Sequence, residues 1–238
     1  VNYSLNGDAV DVHLQFSVLP GHEETWELVL VSLTDITARK KAEAYLEFLG
    51  KHDVLTQLRN RSFFEDDMAR VERNGPYPVT VVMADLNGLK SVNDQLGHAA
   101  GDALLRRVGE VLRKAVGEEV NAARLGGDEF GILMEDSGLN EAMILVERLR
   151  DAIENFTFMW EQRQFKVSAS FGLTIVTGDY DTVTDILRDA DTACFLAKER
   201  GRNCVHVHVK EDDTVSERRR QMGWINRLDS ALADGRLL

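Results

Sequence analysis

The stretch that most constrains this chain is Arg124-Leu-Gly-Gly-Asp-Glu-Phe-Gly-Ile-Leu-Met134. Two short apolar runs, Val120–Leu125 and Phe130–Met134, flank Gly126-Gly127-Asp128-Glu129, the pattern of a tight β-hairpin. Paired glycines supply the positive φ that other residues resist. Without Cβ atoms they also let another molecule approach the backbone closely. The spacing predicts Asp128 and Glu129 side by side at the tip, where their mutual repulsion is unfavourable unless a cation joins them. A divalent metal carrying phosphates meets that need. An ordinary turn kept solvated by its acids would read the same way, so the hairpin has to be weighed with the rest of the chain.

The bulk numbers narrow the function classes. A formal net charge of −12, from 28 basic and 40 acidic side chains, argues against a general nucleic-acid or anionic-membrane surface. It leaves room for one small anionic ligand held by a few local cations or metals. The 238 residues, 44% of them apolar, suit one large domain or a medium domain with appendages. Cys194 and Cys204 are the two cysteines and form no CxxC pair, as expected of free thiols in a reducing cytosol and not of a disulfide framework or zinc site. No apolar run reaches the ~20 residues of a membrane span, and no signal-peptide pattern opens the chain. The expectation is a cytoplasmic segment cut from something longer.

Along the chain, Val10–Val18 alternates apolar and polar residues, Pro20–Glu24 turns, and Trp26–Leu33 runs back as a second strand. Two strands alone are marginal in water, so residues 1–37 read as a fragment. Residues 38–52 turn helical, and Ala42, Leu46 and Leu49 have the spacing of a short coiled-coil seam. His52–Arg61 then feeds a helix near Ser62–Arg73. The apolar run Val79–Ala84 predicts a strand buried on both faces, ending at Asp85. Helices are expected near Leu89–Leu96, Asp102–Val116, Asn140–Phe156 and Thr184–Arg200, with strands around Phe165–Val176 and Asn203–Val209. Alternating helices and strands point to an α/β (α+β) domain over 53–209, a central antiparallel/mixed sheet covered by helices. Residues 210–238 read as a charged linker and an amphipathic helix carrying Trp224, Leu228 and Leu232.

Four motifs in register resemble the GGDEF family, the diguanylate cyclases that join two GTP molecules into cyclic di-GMP. They are the hairpin, Asp85-Leu-Asn-Gly-Leu-Lys-Ser-Val-Asn-Asp94, Gly97-His-Ala-Ala-Gly-Asp102 and Asp191-Thr-Ala-Cys-Phe-Leu-Ala-Lys-Glu-Arg-Gly-Arg-Asn203. The resemblance implies a palm-like nucleotide-cyclase fold. It implies that Asp85, the Leu86 carbonyl, Asp128 and Glu129 hold Mg²⁺ or Mn²⁺, with Asp128 also helping to deprotonate a 3′-hydroxyl. Gly88, Leu89 and Gly127 would meet the nucleotide through their backbones, and Lys90, Lys198 and Arg202 would contact phosphates. Asn93 and Asp102 would read guanine. A carboxylate can accept from guanine N1–H and the 2-amino group, whereas adenine would leave Asp102 unpaired, so GTP is expected over ATP.

The chain departs from the family in places. Asn87 stands where a second aspartate is common, Gln57 where glycine is usual in the opening motif, and Phe195 where tyrosine is common. The Arg-x-x-Asp product-inhibition site of many members falls on Gly117 and Val120, which can neither fork onto phosphate nor accept a guanine edge. No inhibition through that site is expected. The first residues, ending Asp35-Ile36-Thr37, resemble the last strands of a PAS sensor domain. Residues 210–238 resemble the opening helix of an EAL phosphodiesterase domain. The resemblance implies two half-sites brought together in a homodimer. The rival reading is a GTP-binding regulatory module for a following EAL domain, and a weaker one is a protein-interaction scaffold with no GTP affinity.

Overall fold

The computed structural model describes residues 2–3, 6–117, 121–177 and 182–208. The chain divides into two compact units, Val1–Gly50 and Lys51–Leu238. The predicted helix over 217–238 and the end of the last predicted strand, Val209, lie outside the described residues.

In the first unit, β1 (Asn2–Tyr3) pairs with β2 (Ala9–Val10), and β3 (Val12–Val18) pairs antiparallel with β4 (Val29–Asp35). The second strand of that hairpin starts later than its apolar pattern predicts, because Trp26 takes a positive φ of 56° within the turn. Leu14, Phe16, Leu30, Val31 and Leu33 are all exposed, so this pair buries no face of its own. Helix α1 (Thr37–Lys51) follows, and its start is tied back to Asp11 by Lys40 Nζ at 2.8 Å and by the Thr37 hydroxyl.

The second unit contains every motif. The Asn60 side chain caps α2 (Arg61–Asn74) by accepting from Phe63 N–H at 2.9 Å, and the helix buries Phe64, Met68 and Val71 on one stripe. Strand β5 (Val79–Asn87) is followed by α3 (Leu89–Leu96) and α4 (His98–Val116). The second of these helices starts before the predicted Asp102. Next come β6 (Asn121–Gly126), β7 (Glu129–Met134) and α5 (Leu139–Glu154), then a short hairpin of β8 (Thr157–Trp160) and β9 (Arg163–Lys166). The unit closes with β10 (Ser168–Val176), α6 (Val183–Glu199) and β11 (Val205–Val207).

Five strands form one mixed sheet in the order β11-β10-β5-β7-β6. Only β10 and β11 run parallel. Alternation along β5 sends Val82, Ala84 and Leu86 to a core shared with α3, α4 and α5. Val79, Val81 and Met83 face the core made with α2 and α6. The close seat of α6 depends on Gly172, where a Cβ would meet the Cys194 N–H and the Ala190 carbonyl at 2.1 and 2.3 Å.

Two sequence expectations change. The predicted strand Phe165–Val176 is broken, and β8–β9 adds a hairpin that the pattern does not announce. Its turn puts Glu161 and Gln162 at φ 44° and 66°, a job usually signalled by Asn-Gly or Asp-Gly. Gln57 likewise sits at φ 61°, a left-handed conformation costing a non-glycine residue about 1–2 kcal/mol.

Candidate active site

The hairpin does not place its two acids together at the tip. A bulge between Arg124 and Gly126 shifts the register, so Gly126 pairs with Glu129 and only Gly127 and Asp128 remain in the turn. Gly127 takes φ 51° there. Glu129 becomes the first residue of β7 and lies directly opposite Asp85 on β5. By strand alternation both carboxylates point to the face covered by α2 and α6.

That corner is short of water and crowded with negative charge. Burial raises the Asp85 carboxyl above its usual range; the Lys198 hydrogen bond and charge oppose the rise, and Asp128 and Asp191 add to it. Glu129 is raised by burial first, then by Asp191, Asp85 and Asp128, with Arg61 pulling weakly the other way. Lys198 Nζ sits 2.5 Å from Asp85 Oδ2. The lysine expected to reach phosphates thus rests on the expected metal ligand. Among the described residues no three His, Cys, Asp or Glu side chains are gathered closely enough to hold a metal ion. The donor chemistry nevertheless fits Mg²⁺ or Mn²⁺: hard carboxylate oxygens, buried at Asp85 and partly buried at Asp128 and Glu129, repelling one another, with the Lys198 ammonium already seated on one of them.

The turn is held from both sides. Arg124 Nε and Nη2 donate to the Gly127 carbonyl at 3.1 and 2.8 Å, and the Leu86 N–H donates to the Asp128 carbonyl at 3.0 Å. Arg124 Nη1 reaches the Asp53 carboxylate at 3.3 Å, and Asp53 accepts from Thr56 N–H and Oγ1 at 2.8 and 2.7 Å. Burial alone would raise the Asp53 carboxyl, but the Thr56 hydrogen bonds and Arg124 together bring it below the usual range. The opening motif, which carries no chemistry in the sequence reading, clamps the hairpin.

The predicted base-reading residues gather at another corner. Gly88 turns the chain at φ 96° into α3, leaving Leu89 and Lys90 in its first turn, whose N–H groups have no partner within the helix. Lys90 is exposed. Asn93 Oδ1 is buried with no hydrogen-bond partner among the described residues. Gly101 makes room for it, since a Cβ there would lie 1.9 Å from that oxygen. Asp102, next in the chain, is exposed on α4. A buried acceptor without a donor is costly until something supplies an N–H. Asn87 instead ties strands together, donating to Ser168 Oγ and Ser170 Oγ at 3.2 and 3.0 Å. Arg202, exposed in the turn after α6 at φ 63°, is not brought onto the carboxylate cluster by any ion pair among the described residues.

A family profile described as "Diguanylate cyclase, GGDEF domain" matches residues 50–204. The chain belongs to the GGDEF family. It is 31% identical over 220 residues to the probable diguanylate cyclase DgcE of Escherichia coli, covering 91% of this chain and 20% of that protein. It is 35% identical to the bifunctional diguanylate cyclase/cyclic di-GMP phosphodiesterase MucR of Pseudomonas aeruginosa, over 73% of this chain and 26% of that one. The chain therefore spans about a fifth to a quarter of the length of these relatives. Among solved structures, the GGDEF domain of TpbB (YfiN) from Pseudomonas aeruginosa superposes with a TM-score of 0.65 at 29% identity. That match covers 70% of this chain and 99% of the other.

Within this GGDEF domain the residues missed by sequence reasoning are those acting through others. Asp191 opens the fourth motif but has no role until α6 packs on β5 and places its charge beside Asp85 and Glu129. Arg124 and Asp53 lie 71 positions apart, and no local pattern joins them.

Proposed function

We propose that this GGDEF domain is a diguanylate cyclase that condenses two GTP molecules into cyclic di-GMP and two pyrophosphates. The observation that carries the reading is the buried Asp85 facing the partly buried Glu129, with Asp128 at the adjoining turn and Lys198 bound to Asp85. Asp85, Glu129, Asp128 and the Leu86 carbonyl are the groups that would hold Mg²⁺ or Mn²⁺, which when bound supplies positive charge to the phosphates.

On this reading each 3′-hydroxyl oxygen forms a bond to the α-phosphorus of the other GTP. The bond to the β-phosphate oxygen breaks, pyrophosphate leaves, and Asp128 helps remove the hydroxyl proton. Lys90, Arg202 and a Lys198 released from Asp85 neutralise the phosphates, while the N–H groups of Leu89 and its neighbours donate to phosphate oxygens. Asn93 and Asp102 bind the guanine edge. Two protomers must face each other, each holding one GTP, so the active species is a homodimer whose pairing α1 controls. The upstream β3–β4 pair belongs to a PAS-like sensor, an EAL-like domain follows residue 210, and the protein works in the cytoplasm.

A second reading, a GTP-binding module that regulates an adjacent phosphodiesterase, draws support from one relative. PdeB of Shewanella oneidensis, a cyclic di-GMP phosphodiesterase, is 29% identical over 91% of this chain. Incubating the chain with GTP and Mg²⁺ at high protein concentration, beside a D128A/E129A variant, separates the two. Cyclic di-GMP from the parent alone establishes the cyclase; bound GTP without product leaves the regulatory module.

A further inference from the structure

Lys198 is the cation that the carboxylate corner already holds, and its seat bears on what else can bind there. It lies in the last turn of α6, with Nζ 2.5 Å from Asp85 Oδ2. Among the described residues Asp85 is the one carboxylate it pairs with. The Asp85 side chain is 12% exposed and that of Lys198 32%, so the pair forms largely out of water, where its attraction is strong. The same carboxylate is the one proposed above to hold a divalent metal. Two cations on one carboxylate repel each other, so the ammonium and the metal compete.

The strands around Asp85 decide where the lysine can go. On that face of the sheet its neighbours are Glu129 on β7, Ser170 on β10 and Asn87, two residues further along β5. Glu129 is itself a proposed metal ligand. Ser170 is fully buried and tied to Asn87: Asn87 Nδ2 donates to Ser168 Oγ and Ser170 Oγ at 3.2 and 3.0 Å, and Ser170 Oγ donates to Asn87 Oδ1 at 3.4 Å. Asn87 stands where the family commonly has a second aspartate. An aspartate would offer the ammonium another seat on the same face. The asparagine, neutral and committed to the two serines, offers none. Asp191 lies seven residues back on α6, about two helical turns away. Among the described residues, then, the lysine rests on the metal's own ligand until an anion arrives from outside.

We propose that Lys198 keeps Asp85 closed to metal in the nucleotide-free domain, and that nucleotide phosphates draw it off, so that metal and nucleotide bind cooperatively. The identity of the displacing anion rests on the GTP reading given above, whereas the competition for Asp85 rests on the ion pair itself. The lysine stem is flexible and its head compact, so the exchange requires no shift of α6. Asp85 is neutralised in both states, by the ammonium before and by the metal after. The coupling is reciprocal: whatever removes Lys198 tightens metal, and metal makes Lys198 available to phosphate.

Titration of the nucleotide-free chain with Mn²⁺, followed by electron paramagnetic resonance of the free ion, tests the competition without reference to turnover. K198M keeps the apolar stem and drops the charge. It should bind Mn²⁺ about tenfold more tightly than the parent, while K198R stays near the parent and D85N loses the site. N87D should tighten Mn²⁺ in the parent, by giving the lysine another carboxylate, and have little effect in K198M, where no ammonium needs a seat. GTP should raise Mn²⁺ affinity more in the parent than in K198M, once the nucleotide's own chelation, read from D85N, is subtracted. Equal Mn²⁺ affinity in parent and K198M would overturn the proposal and leave the metal site standing. An equal gain from GTP in both would overturn the transfer of Lys198 to phosphate, and an N87D effect undiminished in K198M would overturn the part given to Asn87. Mn²⁺ bound by neither chain, with or without GTP, would remove the metal site itself and the proposal with it.

Discussion

Asp85 and Glu129 confront each other across β5 and β7, each drawn out of water and each holding its proton more tightly for it, with Asp128 and Asp191 adding to the effect on both. Asn93 and Asp102 meet a different condition: an amide oxygen buried without a donor, in a space that exists because Gly101 has no side chain. One corner stores unfavourable charge and the other a buried acceptor without a donor. A cation relieves the first and a hydrogen-bond donor the second, and on the proposed reading that separates catalysis from base recognition.

The sharpest test crosses the two corners. E129Q removes one charge from the first while leaving the second untouched. It should lower cyclic di-GMP formation by about 100-fold or more while GTP binding, measured by calorimetry, changes little. G101A does the converse. A methyl 1.9 Å from Asn93 Oδ1 must displace that side chain, at a stability cost of about 1–3 kcal/mol, and GTP affinity should fall with it. If E129Q abolished GTP binding, or G101A left it unchanged, the division between the corners would be broken.

R124K asks how far the charged corner depends on the position of its turn. Lysine keeps the charge but cannot hold the Gly127 carbonyl and Asp53 together. Turnover should drop about tenfold, with thermal stability close to the parent's. An unchanged rate would make the Arg124 clamp merely structural.

The smallest expected effect is in stability against pH. The Asp85 and Glu129 carboxyls hold protons more tightly folded than unfolded, so ionising them costs the native state. That cost is absent below their unfolded values and complete once pH has risen through the folded ones. Asp53, shifted down, works in the opposite sense and loses its contribution as pH falls. Comparing metal-free parent with E129Q cancels Asp53. The advantage of E129Q in denaturant midpoint should grow as pH rises above the ordinary carboxylate range, and a constant difference would refute the stored-charge description.

Much of this was legible locally. The apolar run Val79–Ala84 reads as a doubly buried strand and is one, because such a run reports burial on both faces. The Arg124–Met134 hairpin, the main helices and a sheet covered by helices follow from period and turn chemistry. The β8–β9 hairpin escaped because Glu161 and Gln162 turn the chain without the residues that usually do so. Glu129's place on β7, and not at the tip, depends on a bulge that no residue type announces.

By itself, then, the sequence determined which residues could carry charge, hydrogen bonds and turns, since those properties belong to single side chains and their neighbours. The facing of Asp85 with Glu129, the approach of Lys198 and Asp191, the Asp53–Arg124 clamp and the Asn93–Gly101 fit were decided only by the tertiary structure. Each joins groups from different elements across the fold. Distance and desolvation, which set the energy of such meetings, come into being only when the sheet and helices pack.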